Sequence, residues 1–194
     1  MAKPKRLGLW ITLGVLALIL VILVSSIIGT YNSLVSLEAT VQERQSAIST
    51  QLQRRNDLIP NLGSTVKGYA QHEKDLFLGV TEARSKVMGA DSLEEQAAAS
   101  AELSSELTTL LDFTYENYPH IQANENFLAL QEQLEGTENR ITMARKDYNE
   151  SAKVYNTEIR RFPTNLLAGM FGFAQVEYFE AAPGAEEVPE VSFE

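Results

Sequence analysis

The chain has 194 residues, with 16 Lys and Arg against 26 Asp and Glu, a formal net charge of −10, and no Cys. The absence of thiols excludes disulfide frameworks, Cys-ligated zinc, iron–sulfur clusters and thiol catalysis. Six Pro and 11 Gly, in a chain rich in Ala, Leu, Glu and Gln, favour helix over sheet.

Residues 7–28 read LGLWITLGVLALILVILVSSII and carry no charge. As a helix this run spans about 33 Å, enough for a hydrocarbon core of roughly 30 Å. Trp10 stands where an interfacial aromatic anchor belongs. A cleaved signal peptide is the rival reading, and the basic start MAKPKR suits it. The apolar run is too long for one, and no Ala-x-Ala site follows. A retained single-pass anchor is therefore expected. Lys3, Lys5 and Arg6 precede the span, and the first base after it is Arg44. The positive-inside rule then places residues 1–6 in the cytoplasm and the rest outside, the alternative being a cytoplasmic bundle. With those three bases before the span, residues 31–194 hold a net −13. Such a domain repels nucleic acid, and no basic stripe exists to bind one.

After Thr30 the apolar period is helical. Leu34, Val41, Ile48, Arg55 and Leu62 recur every seven residues, beside a second row of Gln45, Leu52, Ile59 and Val66. Pro60 lies on this stretch. Either the chain turns near 56–60, giving four helices, or one long helix kinks there. Four helices of comparable length are the favoured reading, because they cover one another along one core. A helix over 61–88 would then carry Leu62, Val66, Tyr69, Leu76, Val80 and Val87 and end at Gly89. Ser92 and Glu95 have the spacing of a capping box and open an Ala-rich helix that Pro119 ends. Asn124 caps a last helix whose seam is Phe127, Leu134, Ile141, Tyr148, Tyr155 and Phe162, with Pro163 as its stop. Residues 181–194, AAPGAEEVPEVSFE, hold four Glu and no base and are expected to be a disordered acidic tail.

Several side chains invite a chemical reading. Arg55 sits in an apolar seam, so it needs an acidic partner, and Glu138 beside the seam of the last helix is the best candidate. With Arg54 and Asp57 it could instead hold an anion. Tyr148 and Tyr155, each followed by Asn, could form a sugar platform, although a helical Tyr stripe is more often core. His72 lacks the second His of a zinc-protease motif, and His120 lacks the Glu of a di-iron motif, so no metal or other cofactor is expected. The uncharged stretch NLLAGMFGF at 165–173 follows the last long helix. Its Leu166, Met170, Phe171 and Phe173 form a candidate interaction surface with three uses: covering the base of the bundle, dipping into the lipid interface, or meeting a protein.

The strings YNSLVSL, QLQRRNDLIPNLGSTVKGYAQHE at 51–73, QLEGTENRITMARKDYNESAKVYNTEIRRFPTN, and a closing FGF before Tyr178-Phe179-Glu180 resemble the LemA family of bacterial membrane proteins. They stand in the family's order and cover about residues 5–180. The resemblance implies an N-terminal anchor, an all-helical bundle and no established enzyme activity. It also suggests partners among membrane proteases or other envelope proteins, and one relative serves magnetosome assembly. Gly63 departs from the family's pattern, which has a larger apolar residue after Asn-Leu, and a looser local helix is expected there.

The sequence thus predicts an all-α protein of the bacterial envelope: a transmembrane helix over 7–28 and an antiparallel, four-helix bundle over 31–180. Its expected role is non-enzymatic, as an interaction or scaffold module beside the bilayer with a membrane or envelope protein partner, and oligomerisation is left open. The alternative is a sensory or small-ligand domain.

Overall fold

The computed structural model describes residues 5–68 and 74–180, apart from the side chains of 5–7 and 74–76. Within these are five α-helices and one 3-10 helix, and no strand. The order is α1 Lys5–Lys67, α2 Lys74–Gly89, α3 Leu93–Asn117, the 3-10 helix Pro119–Ala123, α4 Glu125–Glu158 and α5 Thr164–Phe171. The protein is all-α, as its periodicity requires. The expectations for Tyr69, His72 and the acidic tail fall outside the described residues.

The chain forms two compact units. The anchor unit comprises Met1–Gln42 and Ser151–Val176. Its part of α1 opens with an apolar stretch of mean hydropathy 3.0, none of it covered by protein, long and apolar enough to cross a membrane. Beyond that stretch Leu34 and Val41 of α1 are buried, as are Ala152 and Tyr155 of α4, Ile159 in the turn that follows it, and Ala168 of α5. The bundle unit comprises Glu43–Glu150 and Glu177–Glu194. Its core takes Ile59, Leu62 and Val66 from α1, Val80, Ala83 and Val87 from α2, Leu103, Leu107 and Leu110 from α3, and Phe127 and Leu134 from α4.

α2 and α3 form a hairpin joined by three residues. Ser92 closes it: its side chain accepts from the Glu95 backbone N–H at 3.1 Å, while the Glu95 carboxylate accepts from the Ser92 backbone N–H at 3.4 Å. Two donors that helix geometry leaves orphaned are satisfied reciprocally. Asn124 caps α4 through the Phe127 N–H at 3.0 Å.

Three boundaries differ from expectation. The chain does not turn at 56–60; α1 runs through Pro60 and Gly63 to Lys67. Proline costs about 3 kcal/mol inside a helix. Burying Ile59, Leu62 and Val66, each at most 6% exposed, gains about 1.5–3 kcal/mol apiece, and that outweighs it. The expected helix over 61–88 is accordingly divided between α1 and α2. At the other end α4 stops at Glu158, and Phe162 is 80% exposed rather than part of the seam. Arg160 and Arg161 donate to the carbonyls three residues back, tightening the turn ahead of Pro163. Gln45 also leaves the seam and faces solvent, whereas Leu52, Ile59 and Val66 of its row are buried.

Candidate functional site

The bundle unit contains one buried charge layer. Arg55 is 1% exposed. Its guanidinium donates to Glu138 Oε2 at 2.9 Å, Ser104 Oγ at 3.2 Å and Ser100 Oγ at 2.9 Å. Ser104 donates in turn to Glu138 Oε1 at 3.2 Å or to the Ser100 carbonyl at 3.0 Å. Three helices, α1, α3 and α4, thus meet at one cation. The Glu138 side chain is 45% exposed, so its carboxylate keeps water on one side while it neutralises the guanidinium. This lowers the desolvation cost that burdens a fully buried pair. Arg145, about two turns along α4 from Glu138, has its basicity lowered by burial and further by the charge of Arg55, with Glu138 acting in the opposite direction. Arg54 and Asp57 face solvent, and Asp57 accepts from Gln53 at 2.7 Å instead of joining the layer.

Tyr148 and Asn149 serve the bundle unit by holding its final segment. The Tyr148 hydroxyl donates to the Glu177 carbonyl at 2.9 Å, and its ring meets Phe179 edge-on at 5.3 Å. Asn149 makes a double bond pair with Phe179: its amide donates to the carbonyl at 2.9 Å and its oxygen accepts the N–H at 2.9 Å. In the anchor unit Asn156 repeats this with Val176, at 2.8 and 2.9 Å. Tyr155 is fully buried, and its hydroxyl has no hydrogen-bond partner. Burial raises the pKa of both tyrosines above the ordinary value. The Tyr side chains are packed within their units rather than displayed on an open platform.

The uncharged stretch lies in the anchor unit and divides in two. Phe171 and Phe173 meet α1, their rings 5.0 and 5.8 Å from Tyr31 in edge-on contacts, with Phe171 half-exposed and Phe173 more covered. Leu166 and Met170, one helical turn apart on α5, are 59% and 76% exposed, whereas Thr164 and Ala168 on its opposite face are buried. Gly172, at φ 80°, closes α5 in the left-handed conformation that suits glycine.

A groove of about 280 Å³ lies in the bundle unit, lined by Pro60, Gly63, Lys67, Phe77 and Arg84 among others. Gly63 opens it, and Lys67 stands 5.6 Å above the Phe77 ring. Among the described residues no three His, Asp or Glu side chains converge as metal ligands.

Sequence reasoning missed Ser100 and Ser104, whose four-residue spacing beside buried Leu103 was the available signal. It also missed the backbone clasps of Asn149 and Asn156, for which the repeated Tyr-Asn at a seven-residue interval was the clue.

A helix fit to cross a membrane, continuous with a helix of an all-α bundle knit by a charge layer, defines a membrane-anchored helical-bundle protein. The chain belongs to the LemA family, whose pattern matches residues 44–193. It is 26% identical over 211 residues to magnetosome protein MamQ 2 of Paramagnetospirillum magneticum, covering 94% of this chain and 78% of that protein. Magnetosome protein MamQ of Magnetospirillum gryphiswaldense is also 26% identical, over 213 residues and 95% and 78% of the two chains. Protein LemA of Metamycoplasma hominis is 25% identical over 158 residues, or 80% of this chain and 71% of its own.

Proposed function

We propose that this LemA-family membrane protein works without catalysis, as an interaction or scaffold module that holds an integral or envelope protein beside the bilayer. The observation that carries this reading is α1, one uninterrupted helix from Lys5 to Lys67. The helix that opens with the apolar stretch also supplies Ile59, Leu62 and Val66 to the bundle core, so a partner bound to the bundle is held to the membrane by the chain itself. The magnetosome relatives support a role in membrane assemblies. The expected sidedness is a cytoplasmic N-terminus and an external bundle, which a reporter fused after Glu194 decides.

Photo-cross-linkers at exposed bundle positions such as Thr108 and Asn139, activated in intact membranes, should trap a discrete membrane protein. No product from any position, or turnover of a substrate by the purified chain, sinks the scaffold reading.

The groove at Gly63 favours a second reading, a small-ligand domain. Arg84 Nε is buried there without a hydrogen-bond partner, and Lys67 lines the same groove. An organic anion with an apolar body fits that pairing. Thermal stabilisation by a medium-chain carboxylate, abolished by Gly63→Leu, would support it; no shift with any such anion would dismiss it.

A further inference from the structure

From Phe162 to Val176 the chain carries no charged residue. Within it, α5 shows the solvent an apolar face, Leu166 and Met170, and Phe162 just before the helix is 80% exposed. Large apolar side chains on one exposed helix face mark a surface that something covers. The position of α5 in the anchor unit says what that is. The apolar span ends at Ile28, and Tyr31 lies three residues further along the same helix, about 4.5 Å beyond. The headgroup layer on each side of a bilayer is about 5–7 Å deep. Tyr31 therefore stands within that layer. Phe171, the last residue of α5, lies with its ring 5.0 Å from that of Tyr31, and Phe173 is 5.8 Å from it. The span thus carries α5 into the interface.

Charge agrees. The domain after the span is strongly acidic, yet in the anchor unit beyond the span Lys153, Arg160 and Arg161 outnumber Glu38 and Glu158. The two arginines sit immediately before Phe162, where basic side chains reach lipid phosphates while apolar neighbours enter the acyl boundary.

We infer that α5 is an interfacial helix that lays Leu166 and Met170 into the headgroup–acyl boundary beside the transmembrane helix, giving the protein a second contact with the bilayer. This docking rests on the membrane-anchored reading but needs no protein partner.

The natural absence of Cys makes the test clean. Leu18→Cys, Leu166→Cys, Met170→Cys and Thr108→Cys, all at exposed positions, would be labelled with an environment-sensitive fluorophore in the full chain. Each would be reconstituted in phosphatidylethanolamine–phosphatidylglycerol vesicles with no other protein. Labels at 166 and 170 should shift to the blue and lose fluorescence severalfold with headgroup-proximal doxyl lipid, while the label at 108 responds to aqueous iodide alone. Iodide quenching at 166 and 170, with lipid quenching at 18, overturns the docking and leaves the anchor standing. Loss of lipid quenching at 18 overturns the anchor itself. Shielding at 166 and 170 from both quenchers overturns the docking in favour of contact with a second copy.

Discussion

The charge layer of the bundle unit and the aromatic end of the anchor unit both take a side chain from α1, Arg55 in one and Tyr31 in the other, with opposite chemistry. In the first, the apolar row of α1 is interrupted by Arg55, and hydroxyls and one carboxylate are drawn in to satisfy it. In the second, Tyr31 meets the rings of Phe171 and Phe173, and Leu166 and Met170 turn outward. A polar group in a seam closes it, because only a few geometries satisfy every donor. An uncharged end leaves a face that a further surface must cover.

The sharpest way to break the comparison is to remove one partner from the charge layer. Glu138→Leu leaves a buried guanidinium with hydroxyls alone and should cost about 3 kcal/mol in denaturant unfolding. Arg55→Met should cost less, since the half-exposed Glu138 returns to water, and the double substitution should recover much of the loss from Glu138→Leu. Equal, additive losses would mean that the pair is incidental.

A smaller effect is expected at the clasps. Asn149→Ala and Asn156→Ala each remove two hydrogen bonds to the final segment, which should cost about 1–2 kcal/mol apiece. Amide exchange at Phe179 should accelerate in the first variant and at Val176 in the second. Unchanged protection would assign the segment's order to Phe179 burial alone.

Gly63→Ala should stabilise by about 0.5–1 kcal/mol. The added methyl meets the Phe77 ring at 3.9 Å, an ordinary contact, and the helix gains a better former. A fall in thermal midpoint would show that the groove needs the space.

The smallest effect at neutral pH belongs to Tyr155→Phe, within about 0.5 kcal/mol, because the hydroxyl it removes is buried and unpaired. Alkaline pH separates the variants. Burial, and next the Glu38 charge, raise the pKa of Tyr155 in the folded chain, so the unfolded chain ionises first, near pH 10. The contribution is complete below that pH and is lost as pH rises above it. The Phe variant should therefore lose stability less steeply as pH rises above about 10.

Much of the fold was legible because a seven-residue apolar step has one physical reading, and because Ser92 and Asn124 have the chemistry that helix starts require. Arg55 stood out as a charge on an apolar row, so its demand for an acid could be read; the two serines that join it sit on a third helix whose rotation a single sequence does not fix. Pro60 misled because its cost is local and visible, while the burial that overrides it comes from α2 and α3. Phe162 kept the seven-residue step after the helix carrying that step had ended. Asn149 and Asn156 looked like surface polar residues, since the extended backbone they bind has no periodicity of its own.

Those two asparagines also grip the chain without reading its side chains. Each amide donates to the carbonyl and accepts from the N–H of one and the same residue, so both backbone groups of Phe179, and both of Val176, are taken. Other side chains at 176 and 179 would keep these bonds, whereas proline at either place lacks the N–H and would lose half of the grip.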